Sequence, residues 1–193
     1  MLSHVDQKNR AAMVDVGGKP VSRRTAHARA VVALPAGLAA RLAEGDIATK
    51  KGPIFQTAIL AGVMAAKKTS ELIPLCHPIP LTDLLVKAAP DRAAGVIRIQ
   101  SEAATTGPAD VEMEALTAVV IAALTVYDMV KEIEPDAVVR SARVTSKSGG
   151  DGEWRRPVEP SDPTRAPRGA RIAGRIGGPT VRTGPPGRPS GRN

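Results

Sequence analysis

VEMEALTAVVIAALTVYDMVKEI, residues 111–133, decides the fold. Between Ala115 and Val130 it is apolar except for Thr117, Thr125 and Asp128. Such a run predicts one long helix that is buried on most sides. Glu112 and Glu114 complement the positive end of its dipole, and Asp110 is the expected N-cap. Working outward, IFQTAILAGVMAAKK at 54–68 is again apolar almost all round. It predicts a second buried helix with Pro53 in its first turn. From Arg24 to Val32 the chain alternates, placing Ala26, Ala28, Ala30 and Val32 on one side of a strand. Strand-like runs near 82–88 and 95–103 flank the turn signal APDRAAG, and AVVRSARVTSKSGG at 137–150 alternates again. LIPLCHPIP at 72–80 holds three prolines and predicts a stiff, irregular loop. A short helix is expected over 37–44. Without that minor piece the order is βαββαβ, an α+β, ferredoxin-like arrangement with an antiparallel sheet and helices packed on one face. One face of such a layer is left uncovered, and oligomerisation is its simplest cover.

Composition narrows the function. Of 193 residues, 42% are hydrophobic but only 2% aromatic. The core must therefore be aliphatic, and an aromatic platform for stacking bases is all but excluded. One cysteine, Cys76, and three histidines argue against a disulfide framework and against a structural zinc site. No charge-free apolar run reaches the ~20 residues of a membrane span, and MLSHVDQKNR lacks the core of a secretion signal. A cytoplasmic protein with no membrane association is expected. The net charge is +8, with nine arginines against four acids beyond residue 150. The 43 residues from 151 onward hold 8 Pro and 8 Gly. That composition offers too little apolar surface to offset ordering entropy. Residues 1–154 are read as the folded, catalytic domain and 155–193 as a flexible, disordered C-terminal arm. The arm is either a solvated extension or a weak polyanion binder.

Phosphate-loop, dinucleotide and nucleophile-elbow motifs are absent, so any chemistry must come from side chains. Three clusters can carry it. Lys50-Lys51 and Lys67-Lys68 suit either a solvated helix end or a rim for phosphate oxygens. Cys76-His77 is held by a proline-rich loop, but adjacent residues in extended chain point apart and make a poor nucleophile–base pair. Asp128 and Lys131 share a helix face at i, i+3. That spacing fits a surface ion pair worth little, or a carboxylate kept in apolar company because it is used. Glu114 points within about 40° of Asp128 but ~21 Å away along the axis. A two-fold axis pairing this helix antiparallel with its copy would bring the two together, in a site shared between subunits.

LSHVD at 2–6, MVDV at 13–16, Lys51-Gly52, AGVMAAKKTSELIPLCHPIPL at 61–81, VEMEALTAV at 111–119, AALTVYDMVK at 122–131 and KSGG at 147–150 form one ordered set. Over about residues 2–154 the chain resembles the cyclic pyranopterin monophosphate synthases, the molybdenum cofactor biosynthesis protein C family. The resemblance implies a ferredoxin-like hexamer built as a trimer of dimers, with active sites at dimer interfaces. It implies conversion of (8S)-3′,8-cyclo-7,8-dihydroguanosine 5′-triphosphate to cyclic pyranopterin monophosphate and diphosphate. It implies Asp128 and Lys131 as an acid/base pair and Lys51 as a third catalytic residue. Leu75, Cys76, His77, Met113 and Glu114, with Glu112 beside them, would bind substrate. Arg24, Lys67 and Lys147 would neutralise its triphosphate. Lys131 would serve best with a lowered pKa, and Lys147 sits on a glycine stretch able to close over substrate. No tightly bound cofactor and no protein metal site is implied, although Mg²⁺ could accompany the triphosphate. The chain departs from the pattern at Pro53, where Asp is usual, at Ala109-Asp110, where Thr-Gly is usual, and at Asp151, where Lys is usual. Two other readings stand beside the lyase: a catalytically impaired relative acting as a pathway scaffold, and a protein binding polyanions through its arm. Nucleic acid is not the expected partner.

Overall fold

The computed structural model describes residues 8, 10–35, 38, 46, 48–150, 152–157 and 180–183. Its strands are β1 (Ser22–Ala33), β2 (Ala48–Thr49), β3 (Gly52–Pro53), β4 (Asp83–Asp91), β5 (Val96–Gly107), β6 (Val138–Ser148), β7 (Trp154–Arg155) and β8 (Thr180–Thr183). The helices are α1 (Ile54–Lys67), the single turn α2 (Thr69–Leu72) and α3 (Glu112–Val130). β1, β4, β5 and β6 lie in the order β6-β1-β5-β4, with β7 and β8 added at the two edges. Every neighbouring pair is antiparallel. This is the arrangement that the βαββαβ reading predicts.

The alternation in β1 does what its sequence suggests. Ala26, Ala28 and Ala30 are buried beneath the helices, while Thr25, His27 and Arg29 lie half-exposed on the opposite face. Ile54 and Ile59 of α1 meet Leu84, Ile97 and Ile99 of the sheet in one aliphatic core, all fully buried. Each such side chain contributes roughly 1.5–3 kcal/mol. Small residues let the layers approach closely. A Cβ on Gly62 of α1 would lie 2.8 Å from the Ala118 carbonyl oxygen of α3. The Ser101 hydroxyl donates to the Ala115 carbonyl at 2.7 Å and fastens α3 to β5. By length and composition α3 could cross a bilayer. Here its inner side, including Ala115, Ala118, Val119, Ala122 and Val126, is packed on the sheet.

The structure departs from expectation at three places. The N-cap of α3 is Val111, with no side-chain cap bond, because the Asp110 carboxylate is engaged by two cations instead. Pro53 precedes α1 rather than opening it, and the missing cap is supplied from a distance. Asp46 accepts from the Phe55 and Gln56 amides at 2.8 and 3.1 Å. Within the stretch read as a flexible arm, Thr180–Thr183 pairs with the edge strand β4, Leu84 opposite Thr183. The rest of the arm beyond residue 157, and all but Leu38 of the short helix expected at 37–44, lie outside the described residues.

Candidate active site

Two clusters of polar side chains sit at opposite ends of α3. The first lines a cleft of about 370 Å³. Its walls are the N-terminal segment at Val14, Val16 and Lys19, the loop at Leu75–His77, and the start of α3 at Asp110, Glu112, Met113 and Glu114. The loop is held by backbone and hydroxyl bonds: Cys76 N–H to the Ile73 carbonyl at 3.1 Å, and Thr105 Oγ1 to the Pro80 carbonyl at 2.7 Å.

Glu114 is 3% exposed, and its Oε2 has no hydrogen-bond partner among the described residues. Burial pushes its pKa up to about 7. Burial, and then the Glu114 charge, also raise the Cys76 thiol, so Cys76 is a poor thiolate nucleophile here.

Arg24 and Lys147 reach Asp110 of the cleft wall from neighbouring strands. Arg24 lies on the helix-facing side of β1 and is 1% exposed. Its Nε donates to the Gly107 carbonyl at 2.9 Å, Nη1 to Asp110 Oδ1 at 2.8 Å and Nη2 to the Pro20 carbonyl at 3.3 Å. Lys147 depends on a β-bulge. Ala28 pairs with Val144 but His27 pairs with Ser146, so Thr145 is the extra residue. The bulge sets Lys147 opposite Ala26, on the helix side; a regular ladder would turn it to the open face. Lys147 Nζ then donates to Asp110 Oδ2 at 2.8 Å and lies 3.6 Å from Glu112 Oε2. The chain next turns through Gly149 and Gly150, both at positive φ. A Cβ on Gly150 would collide with the Arg24 guanidinium. Burial raises the Asp110 carboxyl, but the bonds from Lys147 and Arg24 outweigh it and hold its pKa below the ordinary value. The Asp110 bond raises the pKa of Lys147, against burial.

The second cluster centres on Asp128. Lys131 Nζ donates to its Oδ1 at 2.7 Å and Lys51 Nζ to its Oδ2 at 3.0 Å. Lys51 Nζ also bonds the Asp128 carbonyl at 3.1 Å and lies 3.7 Å from Glu132. Lys51 sits in the two-residue turn between β2 and β3. That turn is set by Thr49, whose hydroxyl bonds the Gly52 carbonyl and the Lys51 amide. Asp128 is half-exposed. The hydrogen bond from Lys131, and then that from Lys51, lower its pKa. The same bond raises the pKa of Lys131. The lowered Lys131 pKa expected from the sequence is thus overturned, because the nearest charge is a carboxylate rather than another amine.

The structure therefore gathers Arg24, Leu75, Cys76, His77, Glu112, Met113 and Glu114 around one cleft, with Lys147 bonded to the Asp110 carboxylate of its wall, and Lys51, Asp128 and Lys131 at the other end of α3. Lys67 is exposed at the last residue of α1 and is not part of the cleft wall. Lys19 was missed; a lone lysine after GG in an irregular segment carries no signal of its own. Asp110 was read as a cap because its spacing suits one, and only the fold shows the cations that claim it.

The chain belongs to the MoaC family, which it matches over residues 13–150. It is similar to proteins named cyclic pyranopterin monophosphate synthase. That of Pelotomaculum thermopropionicum is 46% identical over 149 residues, 77% of this chain and 86% of the relative. That of Herpetosiphon aurantiacus is 43% identical over 163 residues, 84% of this chain and 98% of the relative. That of a Roseiflexus species is 47% identical over 149 residues, covering 77% and 93%.

Proposed function

We propose that this chain is a lyase of molybdenum cofactor biosynthesis, converting (8S)-3′,8-cyclo-7,8-dihydroguanosine 5′-triphosphate to cyclic pyranopterin monophosphate and diphosphate. One observation carries the reading. A single helix holds Met113 and Glu114 in a cleft with His77 at one end, and a carboxylate between two lysines at the other.

The reaction needs proton transfers while the purine's five-membered ring is opened and rebuilt. It also needs charge stabilisation as a hydroxyl attacks the α-phosphorus and diphosphate leaves. Asp128, ionised by its lysines, is the proton acceptor. Lys131 is the proton donor although the Asp128 bond makes it a weaker acid in the empty site, and Lys51 holds the carboxylate between them. Glu114, with a pKa near neutrality, can carry a proton to or from the substrate's ring system. Lys147 and Arg24 face the phosphates, with Lys67 at the far end of α1. Among the described residues no group of three or more His, Cys, Asp or Glu is placed to hold a metal ion. A Mg²⁺ ion arriving with substrate would be held by the triphosphate's own oxygens.

About 21 Å of helix separates Glu114 from Asp128, so one subunit does not bring both to one ligand. Half-exposed Leu60 and Met64 of α1 and Leu124 of α3, the last one turn before Asp128, are apolar side chains left on the helices' surface. A second copy packed there through a two-fold axis would bring Glu114 to Asp128 of the partner subunit. The working unit is then a dimer, assembled three times into a hexamer, acting in the cytoplasm on a small molecule.

The test is diphosphate release from the cyclised guanosine triphosphate, comparing the intact chain with Asp128→Asn. Release by the first and not the second is expected. Release by both would remove Asp128 from the chemistry. Release by neither, from folded oligomer, would leave the scaffold reading in its place.

A further inference from the structure

The cleft contains its own anion. Asp110 takes a hydrogen bond from Lys147 Nζ on one oxygen and from Arg24 Nη1 on the other, each at 2.8 Å. Its carboxylate is therefore ionised throughout the neutral range. The two cations differ in what else they have. Arg24 is buried and also donates to the Gly107 and Pro20 carbonyls, so it keeps partners without Asp110. Lys147 is 19% exposed, and its two partners shown are carboxylates of the cleft wall, Asp110 and Glu112. With Glu114, three acids stand along one turn at the start of α3. A triphosphate brings about four further negative charges to this place, and it gains nothing from a lysine already neutralised.

We propose that Asp110 is an internal counter-ion that competes with the substrate's phosphate for Lys147, and so sets the affinity of the cleft for phosphate anions. In the empty site Asp110 holds Lys147 folded against the helix. When a phosphate arrives, the ammonium exchanges one oxygen anion for another, while Asp110 stays on Arg24. The exchange keeps Lys147 charged and ordered before substrate binds, at the expense of affinity. Asp110 thus tunes affinity: its charge opposes every phosphate anion that comes for Lys147, and opposes the triphosphate most. This inference rests on the reading that the cleft receives the triphosphate.

The experiment is calorimetric titration of the oligomer with inorganic triphosphate, and separately with inorganic phosphate, for the intact chain, Asp110→Asn and Asp110→Asn/Lys147→Ala. Removing the competing charge should tighten triphosphate binding by about tenfold or more. The gain should be larger for triphosphate than for phosphate, and it should vanish in the double variant. Unchanged or weaker binding by folded Asp110→Asn overturns the proposal. A measurement on the intact chain guards against a variant that does not fold. The carboxyl ¹³C resonance of Asp110 should move when triphosphate saturates the cleft, and a resonance that stays in place also overturns it. In turnover the Asp110→Asn change should lower KM more than it alters kcat. Binding is read without turnover, so an intact chain that releases no diphosphate would count against the lyase and still leave the Asp110 result to be judged on its own.

Discussion

Glu114 is the residue at which the fold works against its own stability. Its pKa rises from the ordinary 4.5 to about 7 because the carboxyl is buried with one oxygen unpartnered. A raised folded-state pKa means that the folded chain binds the proton more tightly than the unfolded chain does. The proton's contribution is thus complete below about pH 4.5 and is lost as pH climbs through about 7. Across that window the loss amounts to about 3 kcal/mol. Glu114→Gln removes it, so thermal unfolding of the variant should be nearly level between pH 5 and pH 8 while the parent falls. A parent as stable at pH 8 as at pH 5 would show that the carboxyl is solvated or paired. Asp110 and Asp128 act in the opposite sense. Their lowered values give stability that is present above the ordinary carboxylate range and is lost as acid protonates them. At this scale the sequence was informative about type and poor about surroundings. The apolar run around Asp128 suggested a carboxylate in apolar company, but the side chain is half-exposed and paired with two exposed lysines, as a surface ion pair would be. Nothing in KSGG discloses the bulge at Thr145 that turns Lys147 to the helix side, since a one-residue slip depends on the partner strand.

The elements were legible because each long one keeps a single period. The two helices and four main strands fall within a few residues of where hydrophobic pattern puts them, and their order alone gives the sheet. What stayed hidden are the short pieces that position chemistry. β2 and β3 are two residues each and have no period to read, yet their turn presents Lys51 to Asp128. Asp46 caps α1 from nine residues away, beyond the reach of a local capping rule. Asp46→Ala should therefore cost about 1 kcal/mol of stability. It should lower kcat as well, because the chain leading to Lys51 loses its anchor; an undiminished kcat would uncouple the cap from the site. The α1–α3 contact gives a second check. In an open helix Gly→Ala is favourable by about 1 kcal/mol. At Gly62 the new methyl meets the Ala118 carbonyl, Ala122 and Val86, and the helices must part. Gly62→Ala should destabilise by about 1–3 kcal/mol in denaturant unfolding, and a stabilised variant would show that the layers yield easily.

At the scale of the molecule, the two polar clusters stand at opposite ends of α3, and the proposed site needs both. A single calculation warned of this: residues 114 and 128 point the same way but stand too far apart on a rigid helix for one ligand. Which surface would complete the site was not readable, because a half-exposed Leu124 looks like any other leucine until its neighbours are known. The proposed two-fold arrangement has a quantitative consequence. Glu114→Ala and Asp128→Ala should each be inactive as pure oligomers, since each spoils every site in its own way. Mixed dimers differ: one of their two sites collects both substitutions, and the other receives the intact Glu114 from one subunit and the intact Asp128 from its partner. If subunits reassort at random, half of the dimers are mixed and half of their sites are whole. About a quarter of the parent diphosphate release should then return. Mass spectrometry of the assembled oligomers would establish that exchange took place. Exchange without recovered release would mean that both halves act within one chain, through a bend or rearrangement of α3, and the shared site would have to be abandoned. Recovery well above a quarter would mean that mixed pairs form in preference to pure ones, which follows if either substitution weakens contact between like subunits.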